Sequence, residues 1–113
     1  MPDGFFRMRL GEARPVFAQE TVTTGTLTIS ATPAPSVTLY DSTGTAVAAV
    51  TGAAATNYDT AALAAPRVWY LLDSSSLAVG YYTLTFTFTA IGSDGAARNY
   101  APNIEAQILD VTG

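Results

Sequence analysis

Gly80 to Asp94 reads GYYTLTFTFTAIGSD. From Tyr82 the residues alternate without a break. Tyr82, Leu84, Phe86, Phe88 and Ala90 fall on one face, and Thr83, Thr85, Thr87 and Thr89 on the other. Successive side chains of an extended chain point to opposite sides, so this pattern predicts a strand with one face on a core and one in water. β-Branched Thr and aromatic Phe and Tyr also suit a pleated surface.

Outward from this strand the chain keeps the same character. Downstream, Gly92-Ser93-Asp94-Gly95 predicts a hairpin turn, with Gly free to take positive φ. A last strand follows over about 97–111. In it Ile104, Ala106 and Ile108 hold one face and Leu109 and Val111 the other, a phase change that predicts a bulge or a crossing between sheets. Pro102 marks where that strand begins or lies at an edge, because proline cannot donate to a ladder. Upstream, Asp73-Ser74-Ser75-Ser76 is a turn, and RVWYLL (67–72) is apolar on both phases, which predicts a strand buried on both faces.

The earlier segments read as follows. TVTTGTLTIS (21–30) alternates with Leu27 and Ile29 inward, and ATPAP (31–35) stops it. SVTLY (36–40), a type I turn at Asp41-Ser42-Thr43-Gly44 and TAVAAV (45–50) predict a hairpin. Residues 51–66 hold two readings: a helical turn capped by Asp59 or Thr60 and ended by Pro66, or a short strand around Ala54–Tyr58 followed by loop. In residues 1–20, Phe5, Phe6, Met8 and Leu10 interleave with Arg7 and Arg9, and Arg14 follows. That stretch predicts either an edge strand with its arginines in water or an arm reaching a neighbouring subunit. Residues 21–113 then form one domain, and seven or so strands spaced by turns predict an all-β, antiparallel sandwich.

Composition narrows the function classes. The 113-residue chain has no Cys, no His and no Lys. Disulfides, thiolate metal sites, histidine bases, Schiff-base amines and a phosphate-loop lysine are therefore all missing. Charged residues make up 12%, about half the usual share, so Thr, Ser, Ala and Gly must cover the surface. A net charge of −4 argues against nucleic acid and anionic membrane as partners. No apolar run approaches the roughly 18 residues that span a bilayer. The first residues lack the continuous apolar run of a secretory signal.

Leu77-Ala78-Val79-Gly80-Tyr81-Tyr82, the alternating strand and the Gly92–Gly95 hairpin together resemble the E–F corner and F–G hairpin of immunoglobulin-like domains. The resemblance implies a corner built by Leu77, Gly80 and Tyr82, with the Tyr82 hydroxyl returning to upstream backbone. It places Leu84 where antibody domains carry their second cysteine. With no cysteine pair, and with Trp69 just before the corner, the chain is more similar to bacterial and phage immunoglobulin-like or fibronectin-III-like modules. VTLYDSTGTAV (37–47) is similar to the hairpin such modules carry. The resemblance covers roughly residues 21–111.

What it implies is a non-enzymatic structural protein of a tailed-phage virion, at the neck (as a head–tail connector), in the tail or as capsid decoration, assembled in host cytoplasm. The partners implied are copies of itself and other virion or surface proteins; a cell-surface location is the alternative. Phe5, Phe6, Arg7, Met8, Arg9 and Arg14, with the edge of the last strand, are the expected contacts.

Catalytic and cofactor chemistry finds few footholds. The nine carboxylates are Asp3, Glu12, Glu20, Asp41, Asp59, Asp73, Asp94, Glu105 and Asp110. No local motif pairs two of them as a glycosidase requires, and most sit in turns, where Asp binds backbone. Asp41 or Asp94 could approach calcium, but EF-hand spacing is missing. Ser74 to Ser76 have no histidine or lysine to activate them. No catalytic residue, metal, cofactor or small-molecule substrate is therefore expected. A different class, a carbohydrate-binding or adhesion module, would use Trp69, Tyr40, Tyr58, Tyr70, Tyr81 and Tyr100 as an aromatic platform. The plainer expectation puts Trp69 and Tyr82 in the core and the other tyrosines along strands.

Overall fold

The computed structural model describes residues 4–110. Ten strands follow in order: β1 (Gly4–Arg9), β2 (Ala13–Gln19), β3 (Leu27–Ile29), β4 (Ser36–Asp41), β5 (Ala53–Ala54), β6 (Asn57–Tyr58), β7 (Arg67–Asp73), β8 (Gly80–Gly92), β9 (Ala97–Tyr100) and β10 (Asn103–Leu109). Among the described residues the one helical element is a 3₁₀ turn at Ala48–Val50. The protein is all-β, with a seven-stranded and a three-stranded sheet.

β8 organises the larger sheet. Its alternation puts Tyr82, Leu84, Phe86, Phe88 and Ala90 in the core, each at most 9% exposed. Burying each of the larger ones contributes about 1.5–3 kcal/mol. β8 is long enough to take two neighbours on each side. β10 runs beside Gly80–Thr85 and β9 beside Phe88–Ile91. β4 runs beside Tyr82–Thr87 and β3 beside Ala90–Gly92. Prolines explain both interruptions. Pro102 separates β9 from β10 and offers only its carbonyl, which accepts the Phe86 N–H at 3.0 Å. Pro33 and Pro35 separate β3 from β4.

β1 joins the outer side of β10, and β5 pairs the start of β4. The smaller sheet runs β2-β7-β6, antiparallel throughout. Val16, Ala18, Val68 and Leu72 from it share one core with Met8, Val37, Leu39, Leu84, Phe86, Ile104, Ala106 and Ile108 from the larger sheet. Where β7 leads into β8, the Tyr82 hydroxyl donates to the Ala78 carbonyl at 2.9 Å and accepts the Ala78 N–H at 3.2 Å. Leu77 is buried there. Gly80 sits at φ 150, a conformation that favours glycine.

Several expectations need correction. The sheets are not purely antiparallel, since β1 and β10 run parallel. Residues 4–19 hold two edge strands where one was expected, β1 at the edge of the larger sheet with Arg7 and Arg9 exposed and β2 at the edge of the smaller. The 21–30 segment is a strand only at Leu27–Ile29. TAVAAV does not return as a strand: after one bridge between Tyr40 and Ala46 the chain enters the 3₁₀ turn. Val47 and Val50, both turned toward the core, are three apart, which is the repeat of a 3₁₀ turn and not of a strand.

Residues 51–66 carry two-residue strands and no helix. Asp59 does not cap a helical turn; its Oδ2 accepts the Arg67 N–H at 2.9 Å. β7 is buried on one face only, with Val68 and Leu72 in and Leu71 out. The last strand keeps its phase through Leu109 and breaks at Pro102 instead of crossing sheets. Val111 and Asp3 lie outside the described residues.

Candidate functional site

β2 and β7 pair antiparallel, with Phe17 opposite Trp69 and Pro15 opposite Leu71. Their even-numbered residues Val16, Ala18, Val68 and Leu72 are in the core, so period two turns the odd-numbered ones outward. Phe17 is 46% exposed and Leu71 49%. Trp69 lies between them, half-buried and outside the core cluster. The Arg67 guanidinium stands over both rings, 5.6 Å from the Phe17 centroid and 5.1 Å from that of Trp69. Such a cation is drawn to the negative ring face. The outer face of the smaller sheet is thus an apolar strip of Pro15, Phe17, Trp69 and Leu71, fastened by one guanidinium.

The strip continues into a cleft where the edges of the two sheets face each other. Phe5, Phe6, Arg14, Pro15, Phe17 and Ile104 line it. Phe5 is 49% exposed, and the Arg7 guanidinium lies 5.3 Å from its ring centroid. Arg7 Nε also donates to Gln107 Oε1 at 3.0 Å. Arg14 Nη1 donates to the Arg7 carbonyl at 2.7 Å, crossing from β2 to β1.

Of the contacts expected from sequence, Phe5, Phe6 and Arg14 meet in this cleft, and Arg7 stands beside it. Met8 does not: it is 2% exposed and belongs to the core. Arg9 has an exposed side chain, but its backbone is taken up by the β1–β2 turn. Phe17, Leu71 and Arg67 were missed as a surface, and Trp69, which the plainer expectation put in the core, is half-buried on this face. A signal was present. Arg67 and Asp73 close the two ends of the odd phase of β7, and charges at both ends mark that phase as the wet one.

The carboxylates fix turns. Asp41 Oδ1 accepts the Thr43 hydroxyl at 2.6 Å and the N–H groups of Thr43 and Thr45. These bonds, that from the Thr43 hydroxyl first, hold its carboxyl below the ordinary range. Asp73 is lowered by the N–H and hydroxyl of Ser75. Asp94 is lowered by Arg98, whose Nη2 lies 3.0 Å from its Oδ2, and by the Ala96 N–H; the same pair raises Arg98. Among the described residues no cluster of three or more metal-ligating side chains is found.

The six aromatic candidates do not share a face. Tyr58, Tyr70 and Tyr100 pack against the core, Tyr40 and Tyr81 border a shallow groove on the larger sheet, and Trp69 is on the opposite sheet. Ser74 is wholly buried, and its hydroxyl bridges the carbonyls of Arg9 and Glu12 at 2.9 and 2.8 Å. No helix of the described residues is long and apolar enough to cross a membrane. No family model, curated protein or solved structure matches the chain.

Proposed function

We propose that the chain is a non-enzymatic contact module, an immunoglobulin-like sandwich that works by packing against other proteins. The observation that carries this reading is the outer strip of Pro15, Phe17, Trp69 and Leu71. It is apolar, lies on a regular sheet and adds nothing to the core. An exposed apolar patch of this kind marks a surface that another molecule covers. The immunoglobulin-like assignment is supported by a two-sheet order with β1 beside β10 and by the bond from the Tyr82 hydroxyl to Ala78. The sparse charge and the resemblance of the corner to phage modules favour a virion component at the neck, in the tail or on the capsid.

A carbohydrate-binding module is the second reading, and the exposed side of Trp69 speaks for it. The position of Arg67 speaks against it. Its guanidinium occupies the ring faces of Trp69 and Phe17 on which a sugar would stack. A protein partner can pack around a stacked guanidinium; a pyranose needs the bare ring. The test is a paired Phe17→Ser, Leu71→Ser variant. It should fold normally and fail to join the native assembly, as read by native mass measurement of purified particles. Incorporation equal to that of the unchanged chain overturns the reading, and ring-dependent retention on immobilised sugars would replace it with the second.

A further inference from the structure

We propose that the cleft between β1 and β2 takes up an extended, apolar segment of a partner protein that carries a carboxylate, adding to β1 as a further strand. The proposal rests on the reading of the chain as a contact module and names the kind of partner. Exposed sheet edges recruit strands, and proteins blunt them by shortness, proline or cover. The edge strands here are treated unequally. β5 and β6 have two residues each, β3 has three and β9 four. β2 has seven but carries Pro15 in its middle. β1 has six residues and no proline.

The backbone of β1 shows what is on offer. Leu10 N–H donates to the Leu109 carbonyl, so even-numbered residues face β10 and odd-numbered ones face away. The groups of Arg9 are taken: its N–H by Glu12 Oε1, its carbonyl by the Glu12 N–H and the Ser74 hydroxyl. The Arg7 carbonyl is covered by Arg14. By the same alternation the Arg7 N–H and both groups of Phe5 point away from β10, on the open edge of β1, and Phe5 itself lines the cleft. Together these suit a few residues of extended chain and no compact ligand.

Charge selects the partner. Arg14 is the charged side chain lining the cleft, whose other walls are Phe5, Phe6, Pro15, Val16, Phe17 and Ile104 with Gln19. A guanidinium has five donors, and Arg14 Nη1 gives one to the Arg7 carbonyl. A carboxylate on the incoming strand complements it. Pairing of two β1 edges would instead draw Arg7 and Arg14 of both copies together, so charge favours a foreign strand over a second copy.

The experiment titrates the ¹⁵N-labelled full chain with the blocked peptide acetyl-Val-Thr-Val-Glu-Val-Thr-amide and with its twin bearing Lys for Glu. The Phe5 and Arg7 amide signals should shift and exchange more slowly. The Glu peptide should bind about three- to fivefold tighter, the worth of one exposed ion pair. Arg14→Gln should bring that ratio to about one while binding persists through the backbone. Unmoved Phe5 and Arg7 amides, or equal binding of the two peptides to the unchanged chain, overturns the proposal. Protection of the same amides that grows with protein concentration alone would assign the edge to a second copy and also overturn it. Peptide shifts confined to the Trp69 indole would overturn strand addition and leave the contact-module reading standing.

Discussion

Phe86 is the side chain on which both sheets close, with none of its surface exposed. Phe86→Ala should cost about 3–5 kcal/mol, whereas its neighbour Thr87→Ala, on the wet face, should cost less than about 1. Urea unfolding followed by circular dichroism measures both, and equal losses would refute the assigned faces. Tyr82 carries a second test. Its hydroxyl ties down the Ala78 carbonyl and N–H, so Tyr82→Phe should lose about 1–2 kcal/mol by leaving these groups short of a partner. Ser74→Ala should lose a similar amount, because one buried hydroxyl bridges the carbonyls of Arg9 and Glu12. Nothing in Asp73-Ser74-Ser75-Ser76 distinguished this serine from its neighbours. The carbonyls it serves lie over sixty residues away, beyond the reach of any local pattern.

The turns are where charge enters stability. Asp41, Asp73 and Asp94 are each held below the ordinary carboxylate value of 3.8. A depressed folded pKa means that the folded chain favours the ionised form. What these groups contribute is therefore complete above that value and lost as pH falls through the lower folded ones. Changing all three to Asn should flatten the fall of stability with acid in this range, as read by urea midpoints at a series of pH values. An unchanged acid limb would show that the turns are bystanders. The turns were legible because their chemistry is local, and β8 because alternation repeats. The return of TAVAAV was misread because the turn signal at Asp41–Gly44 predicts a partner strand, whereas the spacing of Val47 and Val50 is that of a 3₁₀ turn. The outward face of β7 was misread because RVWYLL looks apolar on both phases; only the charges at Arg67 and Asp73 betray which one meets water.

At the scale of the whole fold, the described residues measure 50 × 23 × 23 Å. Its length follows β8, whose 13 residues at about 3.3 Å each span roughly 43 Å. The larger sheet turns a threonine-rich face to water, with Thr85 and Thr89 bonded to Asn103 and Asn99. The smaller sheet turns out the apolar strip, so contact with a partner is expected on that side and at the cleft beside it. Sequence alone placed contact residues in the first strand and at Arg14 of β2 but not at Phe17 or Leu71, since the pairing of Phe17 with Trp69 joins residues far apart in the chain. Trp69 is the one tryptophan, so its fluorescence reports this face directly. The decisive measurement is acrylamide quenching of Trp69 in the isolated chain and in the native assembly. Quenching should be ready in the isolated chain and largely lost in the assembly; a tryptophan equally open in both states would contradict the claim that this face is where the protein works.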